Sequence, residues 1–262
     1  MRNTMIRNGL VAALTTAALG AGSTACFAAD GTGGPAVTPP QGAAAMASPS
    51  AYIKALSFDI SKATVTGADA TDEKQVLAQF KALSSKDQEE YLGYLNDPKV
   101  VQAFFNSTGE ENSDAQAALI AKDATTKYNE DVSFEGGGSV EHESSGTSEL
   151  SSYATWTDKA TYSLKMKVHG ITVTKITVWV RYKATRGAIV SVLNSGSAKI
   201  NYNLAVLLSS DNARPWVGGN RAHAETVWEG RMTYSLWTAQ IDKIQTLSAA
   251  WDGTWKGSTQ NA

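Results

Sequence analysis

The sequence predicts an α+β protein, with a small N-terminal helical bundle followed by an antiparallel β-sandwich or open barrel. Apolar residues recur with a period near 3.6 between residues 71 and 128, and with a period of two after residue 152. The charge balance changes as well, from 8 basic and 14 acidic residues in 51–131 to 13 basic and 10 acidic residues in 132–262. All seven tryptophans lie in the second part. These observations indicate two modules of different character.

The first 28 residues have the three-part pattern of a secretory signal peptide. Arg2 and Arg7 precede a short apolar run, and small residues lead to Ala28, where we expect cleavage. The run is shorter than the ~20 residues that span a bilayer. The only cysteine is Cys26, and lipid anchoring there is not expected, because Ser23 stands where a larger aliphatic residue is normal. We therefore expect a secreted protein, free or associated with the cell wall, without disulfides.

The next two segments are a linker and a helical module. Residues 29–50 are mostly Gly, Pro and Ala, which predicts a disordered linker. Residues 51–66 fit a strand as well as a helix end, and then four short amphipathic helices follow. Because short helices are marginal in isolation, we expect residues 51–131 to form a bundle. The start signals of the four helices are Thr71, Ser85 with Gln88, Asp97 with Pro98, and Ser113 with Gln116 in a helix running towards Tyr128.

Residues 132–152 are polar and contain three consecutive glycines at 136–138, which predicts a hinge loop. Residues 153–262 form the predicted antiparallel β-domain. Two alternating runs on either side of His169-Gly170 predict a hairpin, and a change of parity between them predicts a bulge near Thr174 or Lys175. Further strands are predicted over residues 200–208, 221–232, 234–247 and 249–255.

The stretch RAHAE contains the candidate catalytic residues Arg221, His223 and Glu225. On a strand these three share one face, and successive members lie ~7 Å apart, so an acid–base site needs a further group from another strand. The alternative is an exposed polar strand face. Ala222, Ala224, Thr226 and Trp228 share the other face, where the alanines leave room for a large neighbour such as a tryptophan.

The other histidines fit structural roles better than chemical ones. His169 lies in the predicted turn, where histidine tolerates positive φ better than most residues. His142 lies between Glu141 and Glu143 and is interpreted as solvated charge in a flexible loop rather than as a metal ligand. The sequence has no G-x-S-x-G, H-E-x-x-H or Walker A motif, and it predicts neither a metal site nor a cofactor.

The tryptophans are the second group of candidate site residues. Trp179 and Trp228 are predicted to be core residues. Exposed tryptophans commonly bind sugars or protein partners, because they offer flat apolar area with little entropy to lose. The alternative is that they close the ends of the β-domain. The predicted ligand-binding tryptophans are Trp156, Trp216, Trp237, Trp251 and Trp255.

Three stretches carry a resemblance: GITVTKITVWVRYKAT, GNRAHAETVWEG and WDGTWKGS. Over the last 90 residues or so, the chain resembles a type of exported β-domain protein of actinobacteria that is largely uncharacterised. The resemblance rests on pattern and carries no catalytic residues. It implies a secreted actinobacterial protein.

We expect a non-enzymatic secreted protein whose tryptophan-rich β-domain binds an extracellular glycan or protein partner. One alternative is a secreted hydrolase with its site around Arg221, His223 and Glu225. Another is an exported toxin-like protein that acts on the membranes of competitor cells, which the alternation in residues 200–208 suggests. Nucleic acid is not an expected partner, because neither half has a dense basic stripe.

Overall fold

The computed structural model of the chain describes residues 42–66, 68–107, 124–145, 154–234 and 237–262. The predicted signal peptide, most of the predicted linker, and the start of the helix predicted from Ser113 lie outside these residues. Within them, four helices precede two antiparallel sheets, which confirms the α+β class. The helices are α1 (Pro49–Thr66), α2 (Thr71–Ala82), α3 (Ser85–Asn96) and α4 (Pro98–Asn106).

The ten described strands follow the helices. The first five are β1 (Ala124–Lys127), β2 (Val132–Ser145), β3 (Trp156–Val168), β4 (Ile171–Thr185) and β5 (Ala188–Asn201). The second five are β6 (Val206–Ser210), β7 (Arg214–Gly218), β8 (Arg221–Tyr234), β9 (Trp237–Ala250) and β10 (Trp255–Asn261). No helix in the described ranges is long and apolar enough to cross a membrane.

Side chains cap α3 and α4, whereas the predicted cap Thr71 is the first residue of α2, and the N-cap residue Ala70 makes no side-chain hydrogen bond. Ser84 rather than Ser85 caps α3, since its Oγ accepts a hydrogen bond from the Asp87 amide at 3.2 Å. The Asp97 carboxylate accepts one from the Lys99 amide at 2.9 Å, with Pro98 in the first turn of α4. These side chains satisfy amides that have no partner inside the helix. Residues 51–66, for which both structures fitted, are helical.

Two sequence-based boundaries before the sheets are wrong. Ala45 and Met46 are buried, so the C-terminal part of the predicted linker belongs to the folded structure. The Ala124–Lys127 segment is a strand and not the end of a helix, because it pairs with β2. Tertiary pairing outweighs a weak local helix preference there.

The predicted hinge is also wrong over Val132–Ser145, which forms β2 and pairs with β3 along its length. Its inward positions begin with the buried residues Val132 and Phe134 and continue with glycines. A Cβ atom on Gly138 would lie 2.9 Å from Cη2 of Trp255, so the indole occupies the space that a side chain would need. Gly138 therefore makes room for a tryptophan that is distant in the sequence.

In the described part of the chain the strands form two sheets. The first has the order β1-β2-β3-β4-β5. The second has the order β10-β9-β8, with β6 and β7 both paired to β8. The predicted hairpin between β3 and β4 is confirmed, with φ of +47° at His169 and +77° at Gly170. Val173 is the bulged residue, one position before the predicted bulge, because Met166 pairs with Thr174 and Lys167 with Thr172.

Two later strand predictions are wrong. The segment 200–208 is broken by a turn between β5 and β6, where Asn203 is buried and its amide donates to the Leu95 carbonyl at 2.9 Å. The chain turns where Asn203 makes this contact with α3, and the alternation of apolar residues in 200–208 gives no sign of that turn. Residues 251–254 form a turn between β9 and β10, so the predicted strand over 249–255 is likewise interrupted.

Two buried clusters hold these elements together in one compact unit. The first combines the helices with both sheets, and Phe80, Tyr91, Phe104 and Trp228 are among its fully buried residues. The predicted modules therefore share one core. Trp228 is fully buried, which confirms the prediction that it is a core residue.

The second cluster contains residues of both sheets. It joins the small residues Ala222, Ala224 and Ala249 of the second sheet to Tyr162 and Tyr182 of the first. The bulky residues of this cluster are tyrosines, and Trp156, Trp251 and Trp255 pack against it.

Candidate functional site

Strand β8 has the two faces that its sequence predicts. Ala222, Ala224, Thr226 and Trp228 are buried, whereas Arg221, His223, Glu225 and Val227 alternate with them and are partly exposed. The hairpin that joins β7 to β8 turns at Gly219 and Asn220, with φ of +54° and +58°. This two-residue turn fixes the register of β7 against β8.

The strand register places two rows of side chains on the outer face of the second sheet. Trp216, His223, Ser248 and Lys256 lie side by side on β7, β8, β9 and β10. The adjacent row is Arg214, Glu225, Thr246 and Ser258. Since neighbouring strands lie ~4.8 Å apart, each row is about 14 Å wide. We call these eight residues the outer face.

Trp216 and His223 form a stacked pair within the first row. Their ring centroids are 4.8 Å apart and the ring planes differ by 5°. The Nε2–H of His223 donates to the Gly218 carbonyl at 3.0 Å, because a carbonyl only accepts, and this bond fixes the orientation of the imidazole. Trp216 remains 42% exposed, so the stack holds an indole in place without covering it.

Gly218 lies beside this pair, and even a side chain there would make only ordinary van der Waals contacts with it. A Cβ atom there would lie 3.5 Å from Cδ1 and Nε1 of Trp216 and 3.7 Å from Nε2 of His223. The indole thus lies over the glycine, in contact with the backbone of its own strand. The result is a rigid aromatic surface at the edge of the sheet.

Arg221 is fastened beside the outer face by three hydrogen bonds. Its Nε donates to Ser248 Oγ at 3.1 Å, and its Nη2 donates to the carbonyls of Ser248 at 3.1 Å and Thr254 at 3.2 Å. The Thr254 amide and hydroxyl hold the pKa of Asp252 below its ordinary value, and Arg221 adds to this effect. Arg221 therefore joins β8 to the turn between β9 and β10 and serves as a structural cation.

The three candidate catalytic residues share a face as predicted, but in the described part of the chain no carboxylate is hydrogen-bonded to the His223 ring. Among the described residues, the hydrogen-bond partner of the His223 ring is a backbone carbonyl, and Trp216 covers one side of that ring. Glu225 lies between Arg214 and Thr246 in its row. General-base catalysis needs a ring nitrogen within reach of the substrate proton. This geometry suits contact with a ligand better than proton transfer.

The other tryptophans divide between the edges of the core and the outside of the first sheet. Trp156, Trp251 and Trp255 are partly buried against the second cluster, so they close its edges, which was the alternative to ligand binding. The side chain of Trp237 lies outside the described residues. Trp179, predicted to be core, is instead partly exposed on the outward side of β4 in the first sheet, over Gly196, with Lys159 Nζ 5.3 Å from its ring centroid.

A His–Asp pair lies between β2 and β3 that the sequence-based interpretation missed. His142 Nδ1 is 2.8 Å from Asp158 Oδ1, and the indole of Trp156 donates to Asp158 Oδ2 at 2.9 Å. His142 is therefore a partner of a buried carboxylate on a strand, and the flexible-loop interpretation is wrong. The sequence feature that could have revealed this pair is the position of Asp158 in β3. Asp158 is an even number of residues from Tyr162 and Leu164 and therefore points inward with them.

Comparison of the chain with protein-family models, with curated proteins and with solved structures finds no match in any of the three.

Proposed function

We propose that this protein is a non-enzymatic, secreted binding protein that recognises an extracellular glycan with its outer face. The observation that carries the proposal is the exposed indole of Trp216, held rigid by His223 in a row of polar side chains. Export by residues 1–28 and packing of the two sheets as a sandwich are parts of the same proposal.

A sugar ring matches the chemistry of this surface. Its C–H side is flat and apolar and stacks on an aromatic ring, while its rim of hydroxyls needs hydrogen-bond donors and acceptors. Trp216 supplies the aromatic ring, and Ser248, Thr246, Ser258 and Glu225 supply polar groups within about 14 Å along the rows. Because the stack already fixes the indole, binding costs little additional side-chain entropy.

The charges of the outer face favour an acidic glycan over a neutral one. Arg214 and Lys256 are exposed cations, and Glu225 is the one carboxylate in the two rows. A surface with excess positive charge attracts ligands that bear carboxylate or phosphate groups. We therefore propose that the ligand is an envelope glycan with acidic substituents.

Binding to purified glycans tests the proposal. The protein is mixed with insoluble peptidoglycan, arabinogalactan or chitin, and the bound fraction is measured over a concentration series. Trp216→Ala is expected to reduce affinity for the bound glycan about tenfold or more, as for an aromatic residue at the centre of an interface. Val190→Ala is the matched control, since Val190 is an exposed apolar residue of the first sheet. Equal binding by wild type and Trp216→Ala, or no binding to any glycan, contradicts the proposal.

A further inference from the structure

Three potential metal ligands meet at the junction between the helices and the first sheet. Glu90 lies on α3, Asp131 immediately precedes β2, and His169 is in the turn between β3 and β4. One ligand atom from each of them lies within 4.8 Å of the other two, and all three residues are partly buried. The three residues are far apart in the sequence and belong to three separate segments of the fold. The cluster therefore arises from the fold and not from a local run of charge.

The distance between two of these atoms suits a shared ion better than a hydrogen bond. His169 Nδ1 is 3.4 Å from Asp131 Oδ1, whereas N–H···O hydrogen bonds are normally about 2.7–3.2 Å long. Two ligand atoms on a tetrahedral zinc ion, each about 2.0–2.1 Å from the metal, are roughly 3.3 Å apart. The imidazole and carboxylate are thus already spaced as two corners of such a site.

Further hydrogen bonds hold Asp131 in position. The Tyr94 hydroxyl donates to Oδ2 of Asp131 at 2.9 Å, which leaves Oδ1 on the side of His169. The Asp131 amide donates to Asn129 Oδ1 at 3.0 Å, and the Asp131 carbonyl accepts from the His169 amide at 2.8 Å. Metal-binding carboxylates are commonly held by outer hydrogen bonds of this kind.

His169 has bonding capacity that the protein leaves unused. Its side chain is only 13% exposed, and its Nε2 is buried with no hydrogen-bond partner in the described part of the chain. The ring nitrogen that faces Asp131 and is available to an ion is Nδ1, and the unpartnered Nε2 then carries the ring proton. Lys86 pairs with Glu90 at 3.1 Å, but its side chain is 81% exposed, and such a pair is weak enough for an ion to displace it.

We propose that Glu90, Asp131 and His169 bind a divalent transition-metal ion, with zinc as the preferred ion and water in the fourth position. One nitrogen and two carboxylate oxygens are ligands that zinc accepts. The bound ion connects α3, the segment before β2 and the β3–β4 turn, so it fastens the helices to the first sheet. Its role is structural and separate from the outer face.

Zinc titration of the chelator-stripped full-length protein tests this site. Isothermal calorimetry is expected to show one zinc ion per chain, and thermal unfolding is expected to shift to higher temperature with zinc. His169→Asn removes the imidazole and keeps a residue that tolerates positive φ, so the turn is preserved. Glu90→Gln changes one ligand on the helix surface. Each variant is expected to weaken zinc binding about tenfold or more.

His142→Asn is the matched control, because it makes the same substitution at the histidine bound to Asp158. It is expected to leave zinc affinity unchanged. Unchanged affinity in His169→Asn and Glu90→Gln, loss of binding in His142→Asn, or no binding by wild type in large zinc excess overturns the proposal. Trp216→Ala is expected to bind zinc like wild type, so failure of the glycan proposal leaves this test intact.

Discussion

The indole of Trp216 lies parallel to the imidazole of His223, with ring centroids 4.8 Å apart and 5° between the planes. The two residues are direct neighbours across β7 and β8, and the Gly218 carbonyl holds the imidazole in place. The imidazole of His223, a candidate base in the sequence, thus supports an aromatic surface. This relationship is the reason to prefer ligand binding to catalysis for this part of the molecule.

His223→Ala is expected to weaken both the fold and glycan binding without abolishing either. The substitution removes the stack and the hydrogen bond to Gly218, so the free energy of unfolding should fall by about 1–2 kcal/mol. Denaturant unfolding followed by circular dichroism measures this change, and glycan affinity is measured in parallel. Glu225→Gln, in the next row, is the control for stability and should change the free energy of unfolding little. Glycan affinity equal to wild type in His223→Ala would show that the stack does not support binding.

The sequence predicts the alternation of β8 correctly because a period of two is a local property. The register of β8 with β7 can also be predicted from the sequence. A two-residue turn at Gly219 and Asn220 pairs Gly218 with Arg221, and therefore Trp216 with His223. The stacking of the two rings cannot be predicted in this way, because the orientation of the imidazole depends on its hydrogen bond to the Gly218 carbonyl and on tertiary geometry.

Other features depend on contacts between distant segments. In the sequence the glycines of β2 resemble a linker, whereas in the structure Trp255 occupies the space beside Gly138. The metal-ligand cluster joins residues 90, 131 and 169, whose proximity follows from the packing of α3 against the first sheet. Neither relationship has a signal in the spacing of residues along the chain. Asp158 differs, because an acidic residue at an inward strand position is a visible anomaly.

Gly257→Ala and Gly93→Ala are expected to have opposite effects on stability. A Cβ atom on Gly257 would lie 2.3 Å from Cγ of Tyr162, so the ring or the strand must move, at a cost of about 1–3 kcal/mol or more. Gly93 is exposed in the middle of α3 with no atom within 4 Å of its Cβ position, so alanine should stabilise by about 0.5–1 kcal/mol. Denaturant unfolding of both variants measures the difference. Equal stabilities would mean that Tyr162 does not pack on Gly257.

Tyr162→Phe and Tyr182→Phe are expected to differ in their effect on stability, because the two buried hydroxyls of the second cluster differ in their hydrogen bonding. The Tyr182 hydroxyl donates to the Ala250 carbonyl at 3.2 Å, which also accepts from the Gly253 amide at 3.2 Å, so removal of the hydroxyl should cost about 1 kcal/mol. The Tyr162 hydroxyl is buried and makes no hydrogen bond of normal geometry among the described residues, although the Thr259 hydroxyl lies near it. Burial raises the pKa of Tyr162 to about 12, and Thr259 offsets part of this effect. Removal of the Tyr162 hydroxyl should therefore be neutral or stabilising. A large loss of stability in Tyr162→Phe, measured by urea unfolding, would reveal a partner for that hydroxyl.

Stability is expected to fall as pH rises above about 10, in part because of Tyr52 and Tyr91, since unfolded tyrosine ionises near that pH. Their hydroxyl oxygens are 3.3 Å apart, and the Tyr52 hydroxyl donates to the Tyr202 carbonyl at 3.1 Å, so Tyr91 donates to Tyr52. Burial raises the pKa of both residues above the ordinary value. The folded state therefore keeps protons that the unfolded chain loses. The stability contribution is fully present below pH ~10 and is lost as pH rises towards the folded-state pKa.

Tyr91→Phe tests this assignment, because it removes one of the two ionisations. The free energy of unfolding of the variant and of wild type is measured by urea titration at a series of pH values from neutral to strongly alkaline. At neutral pH the two proteins differ by a constant, which reflects the lost hydrogen bond. Above pH ~10 the wild type should lose stability more steeply, by up to about 1.4 kcal/mol per pH unit for each proton. Parallel curves for the two proteins across the alkaline range would show that Tyr91 does not contribute to the pH dependence.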